Sequence, residues 1–351
     1  MNNPKVRDFC SFSPSKEVHE IGKLIGRNKP DRELQKLLRS VINSNCNPQV
    51  IAERRSGKSS LLNCAFHEIS NCHKTFLPIL INFKKYNYIA GVQEGYLLIS
   101  SLILDASKNL SIWTASNKIE IGRKTIFKKE SWPEYYQSLQ GVGFSAEKLF
   151  SDLIIKFSRH GISVILLIDE YESMFFSCFK GQLGSVHCIR DIIMGKLENE
   201  QVLKCIITGA RPWHVYHQDV GSDDFNFIDD TIYLKPFSYE ESYSLFQSEV
   251  EKCTGIFKGN ISEWENHIQW IHELAGGWPY LTKIIGNEYA QTGHIDEATL
   301  LDRLETHFSN IQKRLPEGYT SVLLGQQLTY QIQEQLIKWG LAKRKYGDIT
   351  Q

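Results

Sequence analysis

The chain has 351 residues, with 40 lysines and arginines balanced by 40 aspartates and glutamates. That length allows a large buried core and two or more domains, and the zero net charge excludes an overall field that would favour nucleic acid or a membrane surface. The eight cysteines have no C-x-x-C spacing, and no apolar run approaches a membrane span or a signal core. We therefore expect a soluble, cytoplasmic protein with reduced thiols and no membrane partner.

The chain begins with residues that have little periodicity, so we predict an N-terminal arm over 1–24. Ile25-Gly26-Arg27 follows, and helical signals then start near Lys29-Pro30-Asp31. The apolar stripe of this first helix consists of Leu34, Leu37, Leu38 and Val41.

Residues Ala52 to Ser59 read A-E-R-R-S-G-K-S, between a short apolar segment and a helical pattern. This strand, loop and helix order predicts a phosphate-binding loop, whose lysine reaches the β- and γ-phosphates and whose serine ligates Mg²⁺. Those roles fall on Lys58 and Ser59, and Gly57 allows the backbone to approach the phosphates. For Arg54 and Arg55 two alternatives stay open, namely contact with phosphate or solvation and pairing elsewhere. The predicted nucleotide contacts within the loop are Ala52, Arg54, Arg55, Ser56, Gly57, Lys58, Ser59 and Ser60.

Further short apolar runs alternate with helical patterns, which predicts a doubly wound α/β sheet. The expected strands after the loop are Phe76 to Phe83, Ile162 to Ile168, Val202 to Thr208 and Thr231 to Leu234. The expected helices between them are Val92 to Lys108, Ala146 to Arg159 and Val186 to Leu197. Residues 109–145 break this alternation and are predicted to be an insertion.

Two acids, Asp169 and Glu170, follow five aliphatic residues at the end of one predicted strand. Ligands bind at the carboxyl ends of the strands in open α/β sheets, so Asp169 is predicted to hold Mg²⁺ and Glu170 to polarise the attacking water. Thr208 ends the next strand, where it either senses the γ-phosphate or is an ordinary strand residue. Arg211 follows; it either adds positive charge to the transition state or, the slightly favoured alternative, has a structural role.

After Pro236 the chain reads as helical, beginning with a capping box formed by Ser238 and Glu241. A second helix is expected to end at Gly276-Gly277, and Pro279 is expected to start a third. We assign 25–236 to the α/β domain, 237–295 to a helical domain and 296–351 to a winged-helix module. That module ends at the start of a predicted hairpin, so we expect a missing C-terminal portion or a very short module.

These segments together resemble the AAA-like P-loop ATPases of the STAND class and their archaeal-type ATPase relatives. The resemblance covers about Ile25 to Tyr289, including the loop, L-L-I-D-E-Y-E from Leu166, I-I-T-G-A-R from Ile206 and A-G-G-W-P-Y-L from Ala275. It implies a P-loop NTPase fold with a five-stranded, mostly parallel sheet flanked by helices and followed by a helical lid. It also implies that ATP or ADP binds with Mg²⁺ and that ATP is hydrolysed.

By the same resemblance, Gly26 and Arg27 line the base side of the nucleotide and Pro279 packs near the adenine. Members of this group act as nucleotide-dependent switches that self-associate or engage a protein partner, and many bacterial members serve in conflict systems against phage. Trp278 stands where histidine is common, and the insertion is longer than usual.

Two other hypotheses remain. One is a DNA-binding AAA-type ATPase of replication, transposition or repair, which would use the basic segment Lys118 to Lys129 and Lys343-Arg344-Lys345. The neutral net charge disfavours this alternative. The other is a nucleotide-bound scaffold without turnover.

Overall fold

The computed structural model describes fifteen stretches of the chain: residues 24–27, 29–44, 46–52, 56–86, 91–107, 110, 120–121, 124–125, 145–174, 187–194, 203–209, 226–252, 264–292, 343–345 and 348–350. Its strands are β1 Pro48–Ile51, β2 Phe76–Asn82, β3 Glu120–Ile121, β4 Lys124–Thr125, β5 Ser163–Asp169, β6 Leu203–Gly209, β7 Asp230–Tyr233, β8 Lys343–Lys345 and β9 Asp348–Thr350. Its helices are α1 Glu33–Leu38, α2 Lys58–Cys72, α3 Val92–Ser107, α4 Ala146–Arg159, α5 Tyr171–Ser173, α6 His187–Ile193, α7 Tyr239–Lys252, α8 Trp264–Ala275 and α9 Pro279–Thr292.

Five strands form one sheet in the order β2-β5-β6-β1-β7, and every pairing in it is parallel. The four strands predicted after the loop are present within one residue of their expected ends, and the short apolar segment before the loop lies in β1. The order places β6 between β1 and β5, so the segment after β1 and the acids at the end of β5 lie on either side of the end of β6. The prediction of a parallel α/β sheet is confirmed, and this strand order brings the predicted site residues to one edge.

The sheet has an apolar core on each face, as a doubly wound fold requires. Strand β5 shows the alternation: Val164, Leu166 and Ile168 belong to one core, and Ile165 and Leu167 belong to the other. The first core also contains buried residues of α3, α4 and α6, and the second contains those of α1 and α2. Burial on both faces explains why these strands read as continuous apolar runs.

The first helix changes its geometry before it ends. Its predicted stripe is buried, but only Glu33–Leu38 is α-helical, and Arg39–Asn43 forms a π-helix. The buried ammonium of Lys204 on β6 donates to the carbonyl oxygen of Val41 at 2.7 Å, which satisfies an acceptor at the helix end. Burial lowers the pKa of Lys204.

Helices α7, α8 and α9 follow the sheet, as the sequence predicts. The capping box is confirmed, because the Ser238 amide donates to Glu241 Oε2 at 2.9 Å and the Glu241 amide donates to Ser238 Oγ at 3.3 Å. Gly276 and Gly277 both have positive φ where α8 ends, and Pro279 is the first residue of α9.

Among the described residues, two hairpins lie outside the main sheet. Strands β3 and β4 pair within the predicted insertion, and β8 and β9 pair antiparallel where the sequence predicts a hairpin. None of the helices within the described ranges combines the length and apolarity needed to cross a bilayer.

Candidate functional site

The site begins where β1 ends. Ala52 is buried, and its amide donates to the carbonyl oxygen of Gly209 on β6 at 3.2 Å, which anchors the start of the loop to the sheet. Glu53, Arg54 and Arg55 lie outside the described residues. Gly57 precedes α2 with a φ of +98°, a left-handed conformation that favours glycine. A Cβ there would have its nearest neighbour at 3.8 Å, so backbone conformation and not lack of space requires the glycine.

Lys58 is the first residue of α2, and its side chain turns back into the loop. Its ammonium is buried and donates to the carbonyl oxygen of Ala52, at the opposite end of the loop. The predicted phosphate-binding amine is therefore buried and bonded to the first residue of the loop that is predicted to wrap the phosphates.

Ser59 and Asp169, the predicted pair of metal-binding residues, meet in the fold. Ser59 Oγ donates to Asp169 Oδ2 at 2.8 Å, although 110 positions separate them in sequence. Asp169 is 4% exposed. A hydroxyl and a carboxylate this close offer two hard oxygen ligands, which are the donors that Mg²⁺ prefers.

Two strand ends on either side of β5 hold the Asp169 carboxylate. Thr208 Oγ1 donates to Asp169 Oδ1 at 2.6 Å, and Asn82 Nδ2 donates to Oδ2 at 3.1 Å. The sequence reasoning missed Asn82. The sequence shows only a polar residue near the end of an apolar run, and the pairing of β2 with β5 then places Asn82 in register with Asp169.

Glu170 has an unusual backbone. Its φ is +51°, and within the described residues it is the only one other than glycine with a positive φ. Its amide donates to Thr208 Oγ1 at 3.4 Å, so one threonine contacts both acids. A left-handed conformation in a non-glycine residue costs about 1–2 kcal/mol and is often found at functional sites. The backbone after β5 is thus held in a conformation that local preference opposes.

The surroundings of the loop fit an anion accompanied by a metal. Gly57 caps the 15-residue helix α2 without a side-chain acceptor, and the first turn of α2 contains no acidic residue. The positive end of the helix dipole therefore points at the loop without a protein carboxylate in that turn to neutralise it. Together with Lys58 and the Ser59–Asp169 pair, this arrangement suits a phosphate group bound with Mg²⁺.

Gly26 and Arg27 lie beside the loop. Arg27 is 2% exposed, and its Nη2 donates to the carbonyl oxygens of Ser56 at 3.0 Å and Lys235 at 3.2 Å. Burial lowers the pKa of Arg27 to about 10, although Glu33 opposes the shift, so the guanidinium stays charged at neutral pH. Arg27 thus contacts the protein backbone on the loop and at the exit of β7.

The structure gives the remaining predicted residues only a place in the fold, or they lie outside the described residues. Ser60 lies in the first turn of α2 and is partly buried, and Pro279 begins α9 and is also partly buried. Arg211 lies outside the described residues, as do Arg54 and Arg55. Their roles and the approach of Pro279 to an adenine stay predictions.

The fold is similar to that of proteins of known structure. The chain is similar to a Walker-type ATPase of Pyrococcus abyssi, with 19% identity, a TM-score of 0.57, and coverage of 96% of this chain and 95% of that chain. The chain has the α/β fold of the P-loop NTPases.

Two further matches are weaker. The ORC2 protein of Aeropyrum pernix in its ADP form has 12% identity and a TM-score of 0.49, with 96% of this chain and 91% of that chain covered. The ORC1 protein of the same organism in complex with DNA has 12% identity and a TM-score of 0.44, with 92% and 88% covered. No family model and no curated protein matches the sequence. The fold assignment rests on the Pyrococcus abyssi ATPase, which has the highest TM-score of the three.

Proposed function

We propose that this P-loop protein binds ATP with Mg²⁺ at the loop and hydrolyses it. The observation that carries the proposal is the 2.8 Å contact between Ser59 Oγ and Asp169 Oδ2. Lys58, the residue before Ser59, has a buried ammonium bonded to the start of the loop. A loop serine and a strand-end aspartate that share one hydrogen bond can share one metal ion when the serine proton turns away. Bound Mg²⁺ would neutralise charge on the β- and γ-phosphates.

Each residue has a task that follows from its contacts. Lys58 exchanges its bond to the Ala52 carbonyl for phosphate oxygens, which places a positive charge where the transition state gains negative charge. Asp169 stays oriented because Asn82 and Thr208 donate to its two oxygens. Glu170 accepts a proton from the attacking water, and its backbone amide is bonded to Thr208.

Phosphate release from ATP tests this proposal. We expect release that stops when EDTA removes Mg²⁺, and we expect Lys58→Ala to lose both binding and turnover. Glu170→Gln should keep nucleotide binding and lower kcat by about 100-fold or more. Asp152→Asn is the matched control, because Asp152 is an exposed carboxylate on α4. Unchanged release in Glu170→Gln would support a different base, and a wild-type protein that ignores ATP would refute the proposal.

The finer role that we propose is a nucleotide-dependent switch of the STAND type, in which α7, α8 and α9 form the lid. The proposal is supported by the sequence resemblance and by the three helices that follow the sheet. The resemblance also suggests a setting in prokaryotic antiphage signalling, with a protein partner or self-association as the output. Mass measurement with ADP and then with an ATP analogue should show a larger assembly only with the analogue. Equal masses in both states would argue against the switch.

DNA binding is a second candidate, and the C-terminal hairpin favours it. Strand β8 has the sequence K-R-K and pairs antiparallel with β9, as the wing of a winged helix would. Contacts of this kind to DNA phosphates weaken steeply as salt rises. Retention of duplex DNA that falls between low and physiological salt, and that is lost when Lys343, Arg344 and Lys345 become alanine, would support this candidate. Retention unaffected by those changes would exclude the hairpin.

A further inference from the structure

The guanidinium of Arg27 joins three parts of the protein. It donates to the Ser56 carbonyl of the phosphate loop and to the Lys235 carbonyl after β7, and its Nη1 lies 3.2 Å from Glu33 Oε1. It also lies over the ring of Phe237, 5.2 Å from the ring centre. Because Arg27 is almost fully buried, water cannot replace these contacts cheaply.

The charges continue from Glu33 to the first helix after the sheet. Glu33 Oε2 lies 3.1 Å from Arg32 Nε, and Arg32 Nη1 lies 3.0 Å from Glu241 Oε1. The other oxygen of Glu241 accepts the Ser238 amide in the capping box of α7. Four alternating charges, Arg27, Glu33, Arg32 and Glu241, therefore run from the phosphate loop to the start of α7.

We propose that this charged chain couples the conformation of the phosphate loop to the seating of α7. The inference rests on the proposed function for its nucleotide dependence but not for the coupling itself. Arg27 acts as a positioning residue, since it contacts the loop through the Ser56 carbonyl. A nucleotide that reorients Ser56 shifts the Arg27 guanidinium, and the shift reaches α7 through Glu33 and Arg32. Coupling of this kind is reciprocal, so displacement of α7 also changes the loop.

The backbone at Gly26 lies close to one of these four charged residues. Gly26 has a φ of +74°, and a Cβ at this position would lie 2.7 Å from Cδ of Glu241. Glycine at position 26 therefore gives room to the Glu241 carboxylate, which is an alternative to the nucleotide contact that the resemblance implies for it.

The breakable link is the one between Arg32 and Glu241. The Arg32 side chain is 25% exposed, whereas those of Arg27, Glu33 and Glu241 are 2%, 7% and 3% exposed. A cleft of about 570 Å³ has Arg32 and Glu33 in its walls, so solvent reaches the Arg32 side of this link. Separation at Arg32 exposes one partner to water without leaving Arg27 unpaired, so α7 can detach there at the smallest electrostatic cost.

Hydrogen exchange of the nucleotide-free protein tests the coupling. Glu241→Gln removes the charge but keeps an oxygen for the Ser238 amide, because glutamine also serves in a capping box. We expect exchange in residues 57–62 to rise about fivefold or more, although the substitution lies on α7. Glu240→Gln, an exposed neighbour on the same helix, should leave residues 57–62 unchanged.

A rise confined to residues 239–252 in Glu241→Gln would overturn the proposal, as would an equal rise in Glu240→Gln. Arg32→Gln provides a second break in the same link and should reproduce the effect on residues 57–62. Arg32→Lys keeps the charge without the two-pronged geometry and should restore part of the protection.

Titration with ATP and ADP then separates the two proposals. If the wild type binds nucleotide, Glu241→Gln should shift the Kd about fivefold or more. The double variant with Arg32→Gln should add little, since both changes interrupt the same series of charges. If the effects of the two changes on Kd add up in the double variant, the four charges do not act as one connected series. If the wild type binds no nucleotide, the proposed function fails, while the exchange of residues 57–62 still decides the coupling.

Discussion

Thr208→Val tests whether one buried hydroxyl organises both acids of the site. Valine has nearly the volume of threonine, so the change removes the hydroxyl and leaves little cavity. The hydroxyl donates to Asp169 Oδ1 at 2.6 Å and accepts the Glu170 amide at 3.4 Å, and Thr208 is completely buried. A hydrogen bond to a charged group contributes about 1.5–3 kcal/mol, and the second bond is long enough to add little. We expect a loss of about 2–3 kcal/mol in the free energy of unfolding.

That loss corresponds to a fall of about 5–10 °C in melting temperature for a domain of this size. Thermal and urea unfolding measure it, and phosphate release reports the site, where kcat should fall more than ATP affinity. Thr231→Val is the matched control, because Thr231 Oγ1 on β7 accepts from Gln49 Nε2 at 2.7 Å, away from both acids. If Thr208→Val unfolds at the same temperature as the control and releases phosphate at the wild-type rate, the hydroxyl does not organise the acids.

Two glycines give further predictions about tight packing. Gly209→Ala would place a Cβ 2.4 Å from Cε1 of Tyr171, the residue after Glu170, so we expect about 1–3 kcal/mol lower stability together with lost ATP turnover. Gly161→Ala is the control for Gly209→Ala, because no atom lies within 4 Å of a Cβ at position 161 and only the φ of +70° disfavours alanine. ATP turnover should persist in this control. Gly277→Ala would place a Cβ 2.3 Å from the Phe237 carbonyl oxygen, and we expect a loss of about 2 kcal/mol or more by urea unfolding. Wild-type unfolding midpoints in Gly209→Ala and Gly277→Ala would refute these close contacts.

The local elements were readable from the sequence because each has a short-range signal. Strand β5 appears in the sequence as a continuous apolar run because both of its faces are buried. The start of α7 is indicated by the Ser238–Glu241 capping box. The π-helical geometry at the end of the first helix could not be predicted from the sequence, because its apolar residues have the spacing of an α-helix. The carbonyl oxygen of Val41 in this segment accepts a hydrogen bond from Lys204, which lies on a strand far along the chain.

The candidate site also combines residues that the sequence predicted with one that only the structure identified. The loop and the acids after β5 could be found from motif and spacing, and their meeting followed from the rule that ligands bind at the carboxyl edge of such sheets. Asn82 could not be found, since a polar residue at a strand end is common. Only its register opposite Asp169 gives it a role.

The sequence by itself determined that a loop with the phosphate-binding pattern lies between a strand and a helix and that two acids stand at the end of a buried strand, because those are properties of neighbouring residues. The tertiary structure alone decided which oxygen of Asp169 each donor contacts and how Arg27 connects Ser56 to the charges that reach Glu241. Such contacts depend on strand order and on which side chains share a buried space, and neither is encoded by spacing along the chain.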